Sequence, residues 1–278
     1  MPTINGRNYS LNELQQLWLP IYANREQQLG ATATLVNFGD QPNAGKVNAS
    51  TFTGMKFNAS GLSPVWTPSE ALSAFDTPFD LTLASNWQGV IPTLAFNGTD
   101  ERMTTPDAAF WTPALAAASW GAWVYNTGTG GTILAKYTLA GNLREWVFEL
   151  TTNTGLRITL YDEDDAVTPN ATIATYAATS VTASAWHFLV ATYDGTANAS
   201  GLDLYVDGAL IASSDTDDAN FASVRDYTAV VELGRANAAD YFTGRMAGGP
   251  CSPFFVQAEL TAGQIYNLYA RERLALGV

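Results

Sequence analysis

Cysteine is almost absent. Cys251 stands alone in 278 residues, so the chain can form no internal disulfide and no multi-cysteine zinc site. Histidine is equally scarce, with His187 alone. Any chemistry that needs an imidazole base therefore falls on one mid-strand residue. The sequence has no Gly-x-Ser-x-Gly elbow and no H-E-x-x-H pair. Charged residues are only 14% of the chain, and 13 Lys and Arg against 26 Asp and Glu leave a net charge of −13. Lysine occurs only at Lys46, Lys56 and Lys136. A phosphate-binding surface needs clustered cations, so nucleic acid is not expected as a partner. The acidity reads first as colloidal solubility. No apolar run approaches the roughly 18 residues that a membrane span needs. The start, MPTINGRNYSLNELQQLW, lacks the charged-then-apolar pattern of a secretory signal. The expected location is a virion or the extracellular space, reached by lysis or assembly.

What is plentiful points to strands and turns. Hydrophobic residues make up 47% of the chain and aromatics 12%, with 23 glycines, which supplies a core and excludes wholesale disorder. Beyond Pro92 the runs WGAWVYN (120–126), GTILAKY (131–137), REWVFELTT (144–152), LRITLYDE (156–163), WHFLVATYDG (186–195), GLDLYVDGALIASS (201–214) and AVVELGR (229–235) have a period near two. Leu202, Leu204 and Val206 share one face of a half-buried strand. Asp207-Gly208 between two apolar runs predicts a type I′ hairpin, because both central residues need positive φ. Trp186, Phe188 and Val190 are read as filling the space between two sheets. Trp120 and Trp123 are an odd number of residues apart and face opposite sides. Residues 63–80, with Pro at 64, 68 and 78, read as a surface connection.

Helical signals are confined to the ends. Ser10 and Glu13 form a capping-box pattern before Leu14, Leu17 and Trp18, with Pro20 as the limit. Near the C-terminus Thr261 is the expected N-cap, Ile265, Leu268 and Tyr269 form the apolar face, and Arg271 and Arg273 suit the last turn. This predicts one amphipathic helix on the outside of the sandwich.

The order LAFNGTDERMTTPD (94–107), SWGAWVY, GTILAKY, WHFLVATYDG, LDLYVDGALIAS, LGR…YFTGRMAGG (233–249) and ELTAGQIYNLY (259–269) resembles the laminin-G-like and pentraxin-like branch of the concanavalin A-like jelly rolls. The resemblance is clearest over residues 90–275. It implies an all-β, two-sheet antiparallel jelly-roll sandwich with short N-terminal and C-terminal helices. Residues 1–30 would be an arm or helix and 31–278 the domain. It also implies that His187 is structural, and that Ca²⁺ could sit at the turn FNGTDE, with Asn97 and Asp100 as ligands. A turn held by those same side chains, without metal, is the simpler reading.

Concanavalin-like folds also host glycoside hydrolases, which need paired carboxylates. The acids of YDEDD (161–165) diverge at a strand end. Glu145 and Glu149 share strand parity and are the best remaining pair, expected to face solvent. Trp66, Trp87 and Trp111 could stack on sugars, although each is more simply a core anchor. The expectation is a non-enzymatic structural or interaction protein, such as a capsid decoration or fibre component on a virion surface. The segment AGGPCSPFFVQAELTAGQIYNLY resembles laminin-G-like proteins of viral origin. The alternative is a carbohydrate-binding lectin module, with a glycoside hydrolase behind it. Expected partners are capsid proteins, further copies of the chain, or cell-surface glycans.

Overall fold

Strand pairing organises the chain from residue 92 onward. The computed structural model describes residues 92–278 except 128, 153, 164–170, 238 and 249–250, and before them 3–4, 7–8, 24–25, 27–29, 34–35, 52–53, 65–68 and 82–83. The early strands are β1 (Thr3–Ile4), β2 (Arg7–Asn8), β3 (Thr34–Leu35), β4 (Phe52–Thr53), β5 (Val65–Pro68), β6 (Thr82–Leu83) and β7 (Pro92–Asn97). There follow β8 (Met103–Thr105), β9 (Ala118–Asn126), β10 (Gly131–Thr138), β11 (Leu143–Thr151), β12 (Gly155–Asp162), β13 (Ala171–Ala177) and β14 (Trp186–Tyr193). The last are β15 (Leu202–Val206), β16 (Ala209–Leu210), β17 (Ser214–Asp217), β18 (Val231–Leu233), β19 (Thr243–Ala247) and β20 (Phe254–Val256). An α-helix, Ala262–Leu276, lies at the C-terminal end.

Sheet one runs β17-β13-β12-β11-β10-β18-β8-β5-β4 and sheet two β16-β15-β14-β9-β19-β7-β6. In sheet two β9 is the hub. It pairs with β14 on one side, and on the other with β19 near Asn126 and with β20 near Trp120. β20 in turn pairs with β3. All described pairings are antiparallel, the arrangement expected of a sandwich. Asp207 (φ 53°) and Gly208 (φ 80°) make the β15–β16 turn with positive φ at both positions, as their dipeptide requires. Val65–Pro68 departs from expectation. It is a strand, paired with β4 and β8, rather than a connection. Its Pro68 ends the strand, a position that loses few ladder hydrogen bonds. The helix expected from Ser10 lies outside the described residues.

Two cores share β9. Between the sheets lie Trp120, Leu189, Ala191, Tyr193, Leu202, Leu204, Val206 and Phe255 from sheet two. Opposite them are Trp146, Phe148, Ile158, Leu160, Ile173 and Val231 from sheet one. Trp123, Phe188, Val190, Tyr205 and Phe254 form the second core, on the outer face of sheet two. Ile265, Leu268 and Leu276 of the C-terminal helix cover them. Phe188 and Val190 thus lie under the helix and not between the sheets, and half-buried Trp186 packs at the edge of that same outer cluster. Both faces of β9 and β14 are dry, so alternation alone could not tell inside from outside. Thr261 caps the helix in a reciprocal box with Gln264.

Gly121 marks the tightest point of the second core. A Cβ there would stand 2.3 Å from Phe254 Cζ, because the phenyl ring lies over the cross-strand glycine. Gly121→Ala is expected to cost about 1–3 kcal/mol through overpacking. A lowered urea midpoint would register it.

Candidate functional site

The end of sheet one nearest the β10–β11 hairpin concentrates buried charge. Lys136 pairs with Trp146, and Tyr137 pairs with Arg144, so Glu145 is the unpaired extra residue of a β-bulge. Bulges redirect side chains. This one brings Glu145 to Lys136, and both are fully buried. Lys136 Nζ lies 2.5 Å from Glu145 Oε1, 2.7 Å from Asp107 Oδ1 and 3.2 Å from Asp226 Oδ1. It also donates to Thr112 Oγ1 at 3.0 Å. Glu145 accepts from the Thr112 hydroxyl at 2.6 Å and from the Tyr227 amide at 2.8 Å. Two irregular segments, 106–112 and 221–230, are thereby tied to the strands.

Three carboxylates face one ammonium, which leaves the group net negative. Burial pushes the Glu145 carboxyl up to about 7, against the pull of Lys136, Thr112 and the Tyr227 amide. Burial acts downward on Lys136, but Glu145 and Asp107 outweigh it and hold the ammonium above the ordinary lysine value. Lys136 therefore stays charged.

The same strand ends carry an aromatic patch on the outer face of sheet one. Tyr137 and Tyr161 meet edge to face with ring centroids 5.3 Å apart. The Arg144 guanidinium lies 5.7 Å from the Tyr161 ring centre and is ion-paired with Glu163. The Tyr227 hydroxyl donates to the Glu163 carbonyl, which joins segment 221–230 to this patch. Further along, Arg157 pairs with Glu149 at 2.6 Å. Burial raises the Glu149 carboxyl, and Arg157 offsets this only in part. Asp162 accepts from the Ala222 and Ser223 amides and from Arg225 Nε. Burial acts upward on Asp162, but Arg225 and the two amides hold it below the usual carboxylate range.

Asn97 and Asp100, the expected calcium ligands, engage each other. Asn97 Oδ1 accepts from the Thr99 and Asp100 amides at 2.8 and 3.2 Å, and Asn97 Nδ2 donates to Asp100 Oδ1 at 2.8 Å. These bonds hold the turn through its own side chains and amides. Among the described residues no group of three or more His, Cys, Asp and Glu could hold a metal ion. His187 is fixed at both ring nitrogens, Nδ1 2.8 Å from Asp207 Oδ2 and Nε2 2.8 Å from the Thr182 hydroxyl. Asp207 also accepts from the Phe188 amide, so the group locks the hairpin turn onto β14.

A laminin G model of the concanavalin A-like lectin/glucanases superfamily matches residues 97–248, more than half of the chain. The chain belongs to this superfamily. Three solved structures show the shared fold. The binding domain of botulinum neurotoxin serotype G has a TM-score of 0.53 at 13% identity, over 87% of this chain and 51% of that one. A botulinum neurotoxin type C structure, whose subject is cell entry dependent upon interaction with two ganglioside molecules, gives 0.51 at 12% identity, over 90% and 52%. A mutant of Trypanosoma rangeli sialidase displaying trans-sialidase activity gives 0.53 at 13% identity, over 95% and 40%. The chain therefore spans about half the length of the neurotoxin domains that it matches. No curated protein matches.

Within this superfamily member, several sequence-level candidates fall apart. Glu145 and Glu149 do not both face solvent: the bulge turns Glu145 into the Lys136 cluster, and Glu149 is held by Arg157. Trp111 is a buried core anchor whose carbonyl accepts from Trp146 Nε1 at 2.8 Å. Trp87 lies outside the described residues, as does the Trp66 side chain. The acids of YDEDD diverge as expected over the part described, Asp162 to Arg225 and Glu163 to Arg144. Lys136 escaped the sequence reading, yet it left a signal. In GTILAKY it keeps the parity of Leu134, and a lysine at an inward position of an apolar strand requires buried acids nearby.

Proposed function

We propose that the chain is a non-catalytic glycan-binding module that takes its ligand on the outer face of sheet one, around Tyr137 and Tyr161. One observation carries the reading. The C-terminal helix covers the outer face of sheet two, while the outer face of sheet one presents half-buried tyrosine rings among ion-paired polar side chains. Sugar rings present apolar C–H faces with hydroxyl rims, which suits aromatic rings flanked by guanidinium and carboxylate groups. Arg144 and Arg157 are each matched by a glutamate, so the face favours a neutral portion of a glycan. The ganglioside dependence of the type C neurotoxin and the sialidase likeness support a glycan ligand, although they concern proteins of which this chain spans only part.

The non-catalytic reading rests on the acids. Glu145 is committed to three donors and Glu149 to one guanidinium, which leaves neither positioned as a free acid–base pair. A place on a virion surface rests on composition and the sequence resemblance, and no feature of the fold favours it over glycan binding.

A glycan array tests the proposal. Binding is expected, unchanged by EDTA because Asn97 and Asp100 are already engaged with each other. Tyr161→Ala or Tyr137→Ala is expected to weaken it about tenfold, the loss of one ring contact worth roughly 1.4 kcal/mol. An array on which the parent binds no sugar overturns the reading. Co-sedimentation with a capsid would then support the assembly role.

A further inference from the structure

We propose that Glu145, Thr112 and Asp226 form a proton-operated latch that sets how firmly segment 222–227 is held, and so regulates the neighbouring glycan face. The regulatory part rests on the glycan-binding reading; the latch itself does not.

The argument begins with one hydrogen. The Thr112 hydroxyl has a single proton and two carboxylates within reach, Glu145 Oε2 at 2.6 Å and Asp226 Oδ1 at 3.0 Å. Its oxygen also accepts from Lys136 Nζ. When Glu145 is ionised it accepts the hydroxyl's hydrogen bond, and Asp226 keeps only its longer contact with Lys136. When Glu145 is protonated, Oε2–H donates to Thr112 and the threonine proton turns to Asp226. The threonine oxygen then accepts twice and donates once, its full capacity. Both protonation states thus satisfy Thr112, and they differ in whether Asp226 is held.

Burial favours proton uptake, against the pull of the Lys136 charge. Among the described residues the titratable groups facing Glu145 are Lys136 from β10, Asp107 from segment 106–112 and Asp226 from segment 221–230. The Arg144–Glu163 pair and Arg225–Asp162 pair flank them. Three carboxylates, of which Glu145 is buried, Asp107 half-buried and Asp226 exposed, meet one ammonium and carry two excess negative charges, and one proton halves that excess. Burial lifts Glu145 to about 7, so the exchange falls near neutrality.

The direction follows from linkage. If segment 222–227 lifts, Glu145 is hydrated and returns toward the ordinary value near 4.5. The closed state then binds the proton more tightly than the open state. Closure is strongest at acid pH and is lost as pH rises from about 4.5 to about 7, levelling off above. The Tyr227 hydroxyl, Glu163 and Arg144 connect the segment to Tyr161.

Hydrogen exchange of the whole chain, without glycan, reads the latch directly. After correction for the intrinsic pH dependence of exchange, protection of amides 222–230 is expected to fall by up to tenfold per pH unit between pH 5 and 7 and then flatten. Glu145→Gln, neutral at every pH, should abolish the slope while keeping the acid-pH protection. Should that variant fail to fold, Thr112→Val, which removes the hydroxyl that holds the Glu145 carboxyl down, should shift the slope to higher pH. A parent with flat protection from pH 5 to 8.5 overturns the latch, as does a slope unchanged in the variant that folds. A glycan array without hits would overturn only the binding reading.

Discussion

Glu272→Ala is expected to remove about 3–5 kcal/mol of folding free energy, because it takes the bidentate counter-charge from a guanidinium buried in the second core. Glu272 and Arg25 are both fully buried, with Arg25 Nε 2.7 Å from Oε1 and Nη2 2.9 Å from Oε2. Arg25 Nη1 donates to the Ser252 carbonyl at 2.5 Å, and Trp123 Nε1 donates to Glu272 Oε2 at 2.7 Å. Asn24 and Gln28 add contacts to the C-terminal helix through Asn267 and Gln264. Two ends of the chain, separated by 247 residues, are joined at this pair. Without the carboxylate the guanidinium loses a bidentate counter-charge, and the indole N–H loses this acceptor. The double variant Arg25→Met/Glu272→Leu should recover most of the loss, since packed apolar groups often replace a buried pair without penalty. Guanidinium denaturation with an unchanged slope would confirm that stability alone has moved. By contrast Glu149→Gln, beside an Arg157 side chain that is 43% exposed, should cost less than about 1 kcal/mol.

That contrast shows which features were readable. Local chemistry was legible: Asp207-Gly208 turns where its positive φ demands, Thr261 caps the helix, and Leu202, Leu204 and Val206 share the inner face. Each of those rests on residues within a few positions of one another. Phe188 and Val190 were placed on the wrong face because the helix makes the outside of sheet two as apolar as its inside. Glu145 was misread for a different reason. Parity fails at a bulge, and nothing local announces the extra residue between Arg144 and Trp146. Arg25 was unreadable because its meaning depends on Glu272 at the far end of the chain. The Asn97–Asp100 turn carries residues that serve either reading, and pattern alone does not show that they engage each other. Pattern therefore reveals elements, whereas buried charge depends on tertiary pairing.

Lys136→Met carries the same logic to the candidate site. Removing the ammonium leaves Glu145, Asp107 and Asp226 facing one another without a cation, at an expected cost of about 3–5 kcal/mol near pH 8. Part of that charge can escape, because Asp226 is 52% and Asp107 30% exposed, while Glu145 is fully buried with segment 222–227 closed. Glu145 must therefore carry most of the penalty, and its pKa should climb further once Lys136 is gone. The deficit should shrink as pH is lowered to 5, where a proton replaces the lost ammonium. Lys136→Met/Glu145→Gln should be more stable at pH 8 than Lys136→Met alone. Urea midpoints of parent, single and double variants at the two pH values provide the measurement. If the single variant were equally unstable at both, Glu145 would not be the residue that absorbs the charge, and segments 106–112 and 221–230 would owe their places to packing around Trp111 and Trp146 instead.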